Sequence, residues 1–365
     1  MNVSIVTCYE SNEERVRFVS ETCINKNYNV EVITTDFSHI KKTKRNNIPE
    51  NYKVIETKPY SKNLSIKRMA SHKQFAVDVF KYLDDKNVDI IWVMIPGNYL
   101  VKEAKRYKDR HSNIKIIFDV IDMWPESLPI SLNKNIFPFN IWRNIRSKYL
   151  NCADYLVTEC NLYMDILKNE YKGKHKTIYW AKEPNHIVNN KKLDDSKLSL
   201  CYIGSINHII DVDKIKEIIQ SIKDKEVVLH VIGEGESVEY FINELNNICE
   251  LIYHGAIRDP KQKAEIFDMC HAGINIYKDN LYIGLTVKCL DYFENGLPII
   301  NNIKGDTYRF VEDYGVGINY DSQINSNELI NMSHNNQNVY DLFNNSFTKE
   351  VFMKNCSDVL DEVLK

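Results

Sequence analysis

The sequence predicts an α/β protein of two Rossmann-like, doubly wound parallel-sheet domains facing a cleft. Three observations lead there. Short β-rich runs alternate with amphipathic helical stretches from end to end of the 365 residues, the rhythm of parallel strands joined by crossover helices. A polar, strand-poor stretch from Ala181 to Lys197 divides the chain into halves that repeat this rhythm. At ~150 residues per domain each half is long enough to bury its own core, and 44% apolar and 27% charged residues exclude disorder as the dominant state.

In the first half the β-rich runs fall near Val3–Thr7, Val30–Thr34, Val54–Glu56, Val88–Ile95, Lys115–Asp119, Tyr155–Thr158 and Thr177–Tyr179, with helical stretches between most of them. In the second half they fall near Ser199–Ile203, Val227–Ile232, Glu250–Tyr253, Gly273–Tyr277, Pro298–Asn301 and Val316–Asn319. The expected division is a first domain over 1–180, a linker over 181–198, a second domain over 199–339 and a C-terminal helical segment over 340–365. Ligands of such sheets bind outside the carboxyl ends of the strands, where loops of both domains meet.

Nine cysteines without any Cys-x-x-Cys pair give neither a disulfide framework nor a zinc pattern; reduced, buried thiols and a cytoplasmic location follow as the expectation. The first strand runs at once into Glu10, Glu13 and Glu14, unlike a secretory signal. Apolar runs such as Asp89–Ile95 fall far short of the ~20 residues of a spanning helix. Between Lys41 and Lys73 ten Lys/Arg face two acids. Such a cluster suits anionic lipid heads, a phosphorylated acceptor, nucleic acid or a solvated face. The segment from Phe137 to Lys148 joins Phe137, Phe139 and Trp142 to Arg143, Arg146 and Lys148, which suits a bilayer interface or a buried helix with a basic edge. Together the two segments suggest docking on a membrane surface, and no motif supports nucleic-acid binding.

The densest chemistry lies in Leu281–Ile300. Gly284 ends a loop, Thr286 takes the N-cap place, Val287–Asn295 forms a short helix and Gly296 stops it. Free N–H groups at Leu285–Lys288 and the positive dipole end make an anion site. Lys288 and Asp291 share a helical face; either Lys288 meets a nucleotide's phosphates while Asp291 accepts ribose hydroxyls, or the two form a surface ion pair. Asp211-Val-Asp213 has a metal-binding form, but apolar residues at helical spacing follow it, so these acids read as a helix start. Gly233-Glu-Gly235 lacks the third glycine of a dinucleotide fingerprint.

The run from Gly273 to Asn301 resembles the donor-binding segment of GT-B glycosyltransferases, in particular the retaining family 4 type, through Asp291, Gly296, Leu297, Pro298 and Ile299. Tyr202-Ile-Gly-Ser205, Leu229–Gly235 and Tyr253–Ala256 follow the family's order of glycine loops, and Phe118–Ser127 resembles the Asp-x-x-Asp-x-Trp-Pro-Glu-Ser element of bacterial polysaccharide-assembly members. The resemblance spans roughly residues 85 to 320. It implies a metal-independent, retaining transfer of a sugar from a UDP-linked donor to a glycan carried on polyprenyl diphosphate, in capsule or O-antigen assembly, at the inner face of the cell membrane. No cofactor is implied. Donor-binding residues would be Gly204, Ser205, Asn207, Gly233, Gly235, Arg258, Gly284, Leu285, Thr286, Val287, Lys288 and Asp291, with Lys288 and Asp122 catalytic. Acceptor contacts would be Tyr9, Glu10, Asp119, Trp124 and Glu126; ordinary loop packing is the alternative for Tyr9 and Glu10, capping for Asp119. The tail would cross back onto the first domain.

Departures leave alternatives. The family's pair of glutamates falls on Ile283 and Asp291, and the basic residues usual after the first glycine of the second domain are replaced by Ser205–His208. Lys288 or Arg258 would then supply the phosphate cation. A nucleotide-sugar 2-epimerase or hydrolase on the same fold, or a non-catalytic partner of another transferase, are the competing readings.

Overall fold

The computed structural model describes residues 1–128, 134–185, 191–279, 281–321 and 323–365. Two compact units result: Met1–Trp180 with Phe352–Lys365, and Ala181–Val351. Residues 186–190 of the expected linker lie outside the described residues, while Lys182 is tied to the second unit through the Phe347 carbonyl.

The first unit holds a parallel sheet of β1 (Asn2–Val6), β2 (Asn29–Thr35), β3 (Lys53–Ile55), β4 (Ile90–Ile95), β5 (Lys115–Val120), β6 (Tyr155–Thr158) and β7 (His175–Thr177), ordered 3-2-1-4-5-6-7. Its crossovers carry α1 (Glu13–Asn25), α2 (Ile66–Asp84), α3 (Asn98–Arg110), α4 (Phe139–Ser147) and α5 (Asn161–Leu167). Every residue of β4 is buried, as a strand covered by helices on both faces requires.

The second unit repeats the plan with β8 (Lys197–Ile203), β9 (Glu226–Ile232), β10 (Glu250–Gly255), β11 (Ala272–Asn275), β12 (Ile299–Asn301) and β13 (Gly317–Asn319), ordered 10-9-8-11-12-13 and all parallel. Around it run α6 (Val212–Ser221), α7 (Val238–Leu245), α8 (Pro260–Phe267), α9 (Val287–Glu294), α10 (Asp306–Tyr314), α11 (Ser326–His334) and α12 (Gln337–Ser346). The fold is thus a pair of doubly wound α/β units, and each sheet reverses its winding at one place, between β1 and β4 and between β8 and β11. Asp211 accepts from the Lys214 N–H and caps α6.

The last helix, α13 (Lys349–Val363), returns to the first unit. Phe352 sets its ring edge-on to Phe18 at 5.5 Å, and Lys26, Tyr155 and Lys176 reach Asp361, Glu362 and Asp358. Of the segment 340–365, the part in α12 stays with the second unit and the return begins at Phe352.

One buried ion pair locks the first unit. Arg15 on α1 donates to both carboxylate oxygens of Asp119 on β5 at 2.9 and 2.8 Å, with both side chains fully buried. Trp92 on β4 adds a third donor at 3.0 Å. A second arm of Arg15 reaches the Ile178 and Tyr179 carbonyls, and β7 ends at Thr177, opposite the last residue of β6, rather than running on to Tyr179. The expected acceptor or capping role of Asp119 thus gives way to a core role: its oxygens are fully buried and engaged by Arg15 and Trp92. Glu126 is spent in the same way, on Arg146 at 2.8 and 3.0 Å and Arg143 at 2.9 Å. That network turns two of the three cations of the Phe137–Lys148 segment inward, and Phe139 and Trp142 are buried with them.

Removing one partner of such a pair strands the other charge. Asp119→Ala should cost about 3–5 kcal/mol of unfolding free energy, read from the urea midpoint; a loss below about 1 kcal/mol would show that Arg15 and Asp119 do not hold these elements together.

Candidate functional site

The second unit carries its polar chemistry where β8 and β11 part. Such a reversal point leaves a crevice outside the carboxyl ends of the strands. The last residues of β11, β12 and β13 are Asn275, Asn301 and Asn319, in register. Their side chains form a ladder, Asn275 Nδ2 to Asn301 Oδ1 and Asn301 Nδ2 to Asn319 Oδ1, each at 2.8 Å. Thr286 joins its end by donating Oγ1 to Asn275 Oδ1 at 2.8 Å. Thr286 thus stands at the N-cap place of α9 without capping it by its side chain, leaving first-turn N–H groups for another acceptor.

Tyr292 fixes the same helix from below. Its hydroxyl accepts from the Ile203 N–H and donates to the Cys201 carbonyl, both at 3.0 Å. Gly284 is buried in the loop before α9, and its carbonyl accepts from the N–H and hydroxyl of Thr307, each at 2.9 Å. A Cβ on Gly305 would stand 2.6 Å from Gly284 Cα, so this loop rests directly on the start of α10. Leu285 is half-buried and Val287 exposed.

Lys288 is the unusual member. It is buried, yet its Nζ has no hydrogen-bond partner. The ammonium lies over the rings of Tyr202 and Tyr277, 4.1 and 4.6 Å from their centroids, and its Cε lies 3.8 Å from the place of a Cβ on Gly204. Burial pulls its pKa from the usual lysine range down to about 7. Asp291 turns elsewhere: Lys182 and Lys263 hold its carboxylate at 2.6 and 3.3 Å. The two do not form an ion pair, so the alternative of a Lys288–Asp291 surface pair is excluded.

The glycine loops shape this crevice rather than contact it equally. Gly233, at φ +155°, would place a Cβ 2.0 Å from the Gly204 carbonyl oxygen, and Gly235 would meet the Ile206 oxygen at 2.2 Å. Both are glycines because the loop after β9 lies on the loop after β8, joined through Gly204 N–H to the Ile232 carbonyl and Ile206 N–H to the Glu234 carbonyl. Ser205 is exposed, and Asn207 donates to its Oγ at 3.4 Å. Arg258 is exposed in the stretch between β10 and α8.

The first unit has a counterpart where β1 and β4 part. Tyr9 is buried, accepts from Arg68 Nη2 at 2.9 Å and contacts His72 Nε2 at 3.2 Å. Trp124 is stacked on Trp142, and the Arg68 guanidinium lies 3.4 Å from its ring centroid. Glu10 does not face this group; it accepts from Ser38 Oγ and the N–H groups of His39 and Ile40 and pins their loop. Although burial pushes its carboxyl up, those bonds bring it below the ordinary value.

Asp122 follows β5 and accepts from Ser127. Burial raises its pKa. Glu159, which follows the adjacent β6, is raised to about 8, chiefly by burial and in part by the charge of Asp122, while Trp180 donates to it. Sequence reasoning missed Glu159 and Arg68. The signal for Arg68 was present: Arg68, Ser71, Phe75 and Val79 continue the buried stripe of α2.

No family model matches the chain, and no curated protein matches it in sequence. Solved structures do. Sucrose-phosphate synthase from Thermosynechococcus elongatus superposes with a TM-score of 0.70 at 11% identity, covering 100% of this chain and 99% of that one. The lipopolysaccharide outer core galactosyltransferase WaaB gives 0.64 at 14% identity over 99% of both chains. Anabaena Alr3699/HepE, in complex with UDP, gives 0.65 at 10% identity over 99% of this chain and 100% of that one. The chain has the GT-B fold.

Within this GT-B chain, Lys288 burdens the second unit. Its unfolded-state pKa lies near 10.4 and its folded value near 7, so the unfolded state binds more protons between them and stability rises with pH across that interval. Lys288→Met should raise the thermal midpoint at pH 7 by at least about 2 °C and remove that part of the rise, measured as the difference between variant and parent from pH 7 to 9. A lowered midpoint would show that the ammonium is satisfied where it lies.

Proposed function

We propose that this chain is a glycosyltransferase that moves a sugar from a UDP-linked donor to a glycan acceptor. The observation that carries the reading is Lys288, a buried cation without a counter-charge beside an α-helix start whose N-cap side chain is engaged elsewhere. A diphosphate supplies what both lack: acceptor oxygens for the first-turn N–H groups and negative charge for the ammonium. That UDP is bound by the Anabaena structure of the same fold supports the choice of nucleotide.

The chemistry follows from the charge. Breaking the bond between the donor sugar and the diphosphate leaves negative charge on the leaving oxygen, and preorganised donors at that place lower the barrier without a metal ion. In this reading Lys288 and the N–H groups of Leu285–Lys288 hold the leaving group, Gly204, Ser205 and Asn207 border it, and Asp291, steadied by Lys182 and Lys263, receives the ribose hydroxyls. Arg258 is free to reach an outer phosphate oxygen. The mechanism is retaining, with the leaving phosphate taking the acceptor proton. Asp122 orients the acceptor hydroxyl, with Glu159 keeping its proton beside it near neutral pH.

The acceptor is a glycan on polyprenyl diphosphate, used in capsule or O-antigen assembly at the inner face of the cell membrane. Exposed Ile40, Leu64 and Ile66 stand among Lys41, Lys62 and Lys67, and Ile136 and Phe137 add a second exposed apolar group. Apolar side chains interleaved with cations suit an anionic lipid surface. Among the described residues no helix is long and apolar enough to cross a membrane.

Calorimetric titration with UDP tests the donor site. At pH 8 unliganded Lys288 is largely neutral, so binding should take up close to one proton, seen as heats that vary with buffer ionisation enthalpy; at pH 6 that uptake should vanish. Lys288→Met should weaken UDP roughly 10- to 150-fold, the ~1.5–3 kcal/mol of a charge-assisted bond. Equal affinity in variant and parent would refute the assignment.

A further inference from the structure

A second buried cation stands unpaired in the first unit. Arg68, at 1% exposure, makes no ion pair among the described residues, and its Nε has no hydrogen-bond partner. Its other nitrogens meet neutral groups, the Asn63 carbonyl at 3.0 Å, the Tyr9 hydroxyl at 2.9 Å and the Tyr60 hydroxyl. Burial holds His39 near pKa 4 and His72 well below the ordinary histidine value, Arg68 itself pushing both further down. Burial raises the Asp122 carboxyl and the Arg68 charge opposes that rise, though the two form no ion pair among the described residues.

Arg68 lines a narrow cavity with His72, Gly97, Asn98, Trp124 and Trp142. Gly97 and Asn98 follow β4, so the cavity opens at the carboxyl edge of the sheet where the winding reverses. Asn98 contributes a second unsatisfied atom. Its Nδ2 donates to the Trp124 and Trp142 carbonyls at 3.2 and 2.8 Å, which fixes the amide orientation, while its buried Oδ1 has no partner. The cavity has about 20 Å³ of room for water-sized groups. That accommodates one or two oxygens, not a sugar ring.

We propose that this cavity binds the oxyanion of an acidic acceptor sugar, a phosphate or a carboxylate, with the ring outside against Trp124. The inference rests on the transferase reading for the word acceptor and deepens it by assigning the acceptor's charge. An oxyanion gives Arg68 the direct ion pair it does not make and accepts from Nε. A sugar hydroxyl beside it donates to Asn98 Oδ1. A neutral glycan leaves the guanidinium uncompensated.

The test follows the indole N–H resonances of Trp124 and Trp142 by NMR in the full chain, with UDP saturating so that phosphates are kept from the second unit. Glucose 1-phosphate, glucuronate and methyl glucoside are titrated in turn. At least one charged ligand should bind ten-fold or more tighter than methyl glucoside; which one is tighter separates phosphate from carboxylate. Arg68→Gln should lose at least ten-fold for that ligand, and Arg68→Lys, which keeps charge without the planar fork, an intermediate amount. Methyl glucoside binding as tightly as both acids would overturn the proposal, as would unchanged affinity in Arg68→Gln or, should that variant fail to fold, in Arg68→Lys. If UDP alone does not bind, the titrations are repeated in Lys288→Met: retained charge preference there leaves this site standing and removes the donor reading.

Discussion

An ammonium group taken out of water without a counter-charge is the constraint around which the second unit is arranged. Isolated buried charge is costly, and Lys288 meets that cost partly through the faces of Tyr202 and Tyr277 and partly by a pKa pulled to about 7. Neither is as favourable as an anion. The surrounding parts keep the group in place all the same: the asparagine ladder holds Thr286, Tyr292 ties α9 to β8, and Gly305 lets the Gly284 loop rest on α10. An unsatisfied cation held so firmly is a feature that a bound anion would relieve.

The contrast within the molecule sharpens this. Four lysines and arginines are buried among the described residues: Arg15, Arg68, Arg146 and Lys288. Arg15 and Arg146 are paired with carboxylates, Asp119 and Glu126, and serve to lock elements of the first unit. Arg68 and Lys288 have no acid partner, and each stands at the carboxyl edge of its sheet where the strand order reverses. The chain pairs its buried cations where they hold the fold together and leaves them open where parallel sheets bind ligands.

Much of this was legible in the sequence. Among the described residues most strands coincide with a β-rich run, because central strands covered on both faces are apolar and bounded by turn residues, whereas the half-exposed edge strand β7 (His-Lys-Thr) meets its expected run only at Thr177. Lys288 was legible as a cation in the first turn of a helix that follows a glycine loop. Side-chain partners distant in sequence were not. Asp119 sits in a motif suggestive of catalysis, yet Arg15, 104 residues earlier, claims it. Arg68 was hidden in a run of lysines and arginines whose mean charge said surface, although its phase on α2 said interior. Glu159 follows an ordinary strand, and only the pairing of β5 with β6 brings it near Asp122.

The most direct test is a crystal structure of the chain with UDP. The diphosphate should lie against the first turn of α9, with an oxygen within about 3 Å of Lys288 Nζ and of a first-turn N–H. UDP bound elsewhere, with Lys288 still enclosed between its two tyrosines and no anion beside it, would contradict the account.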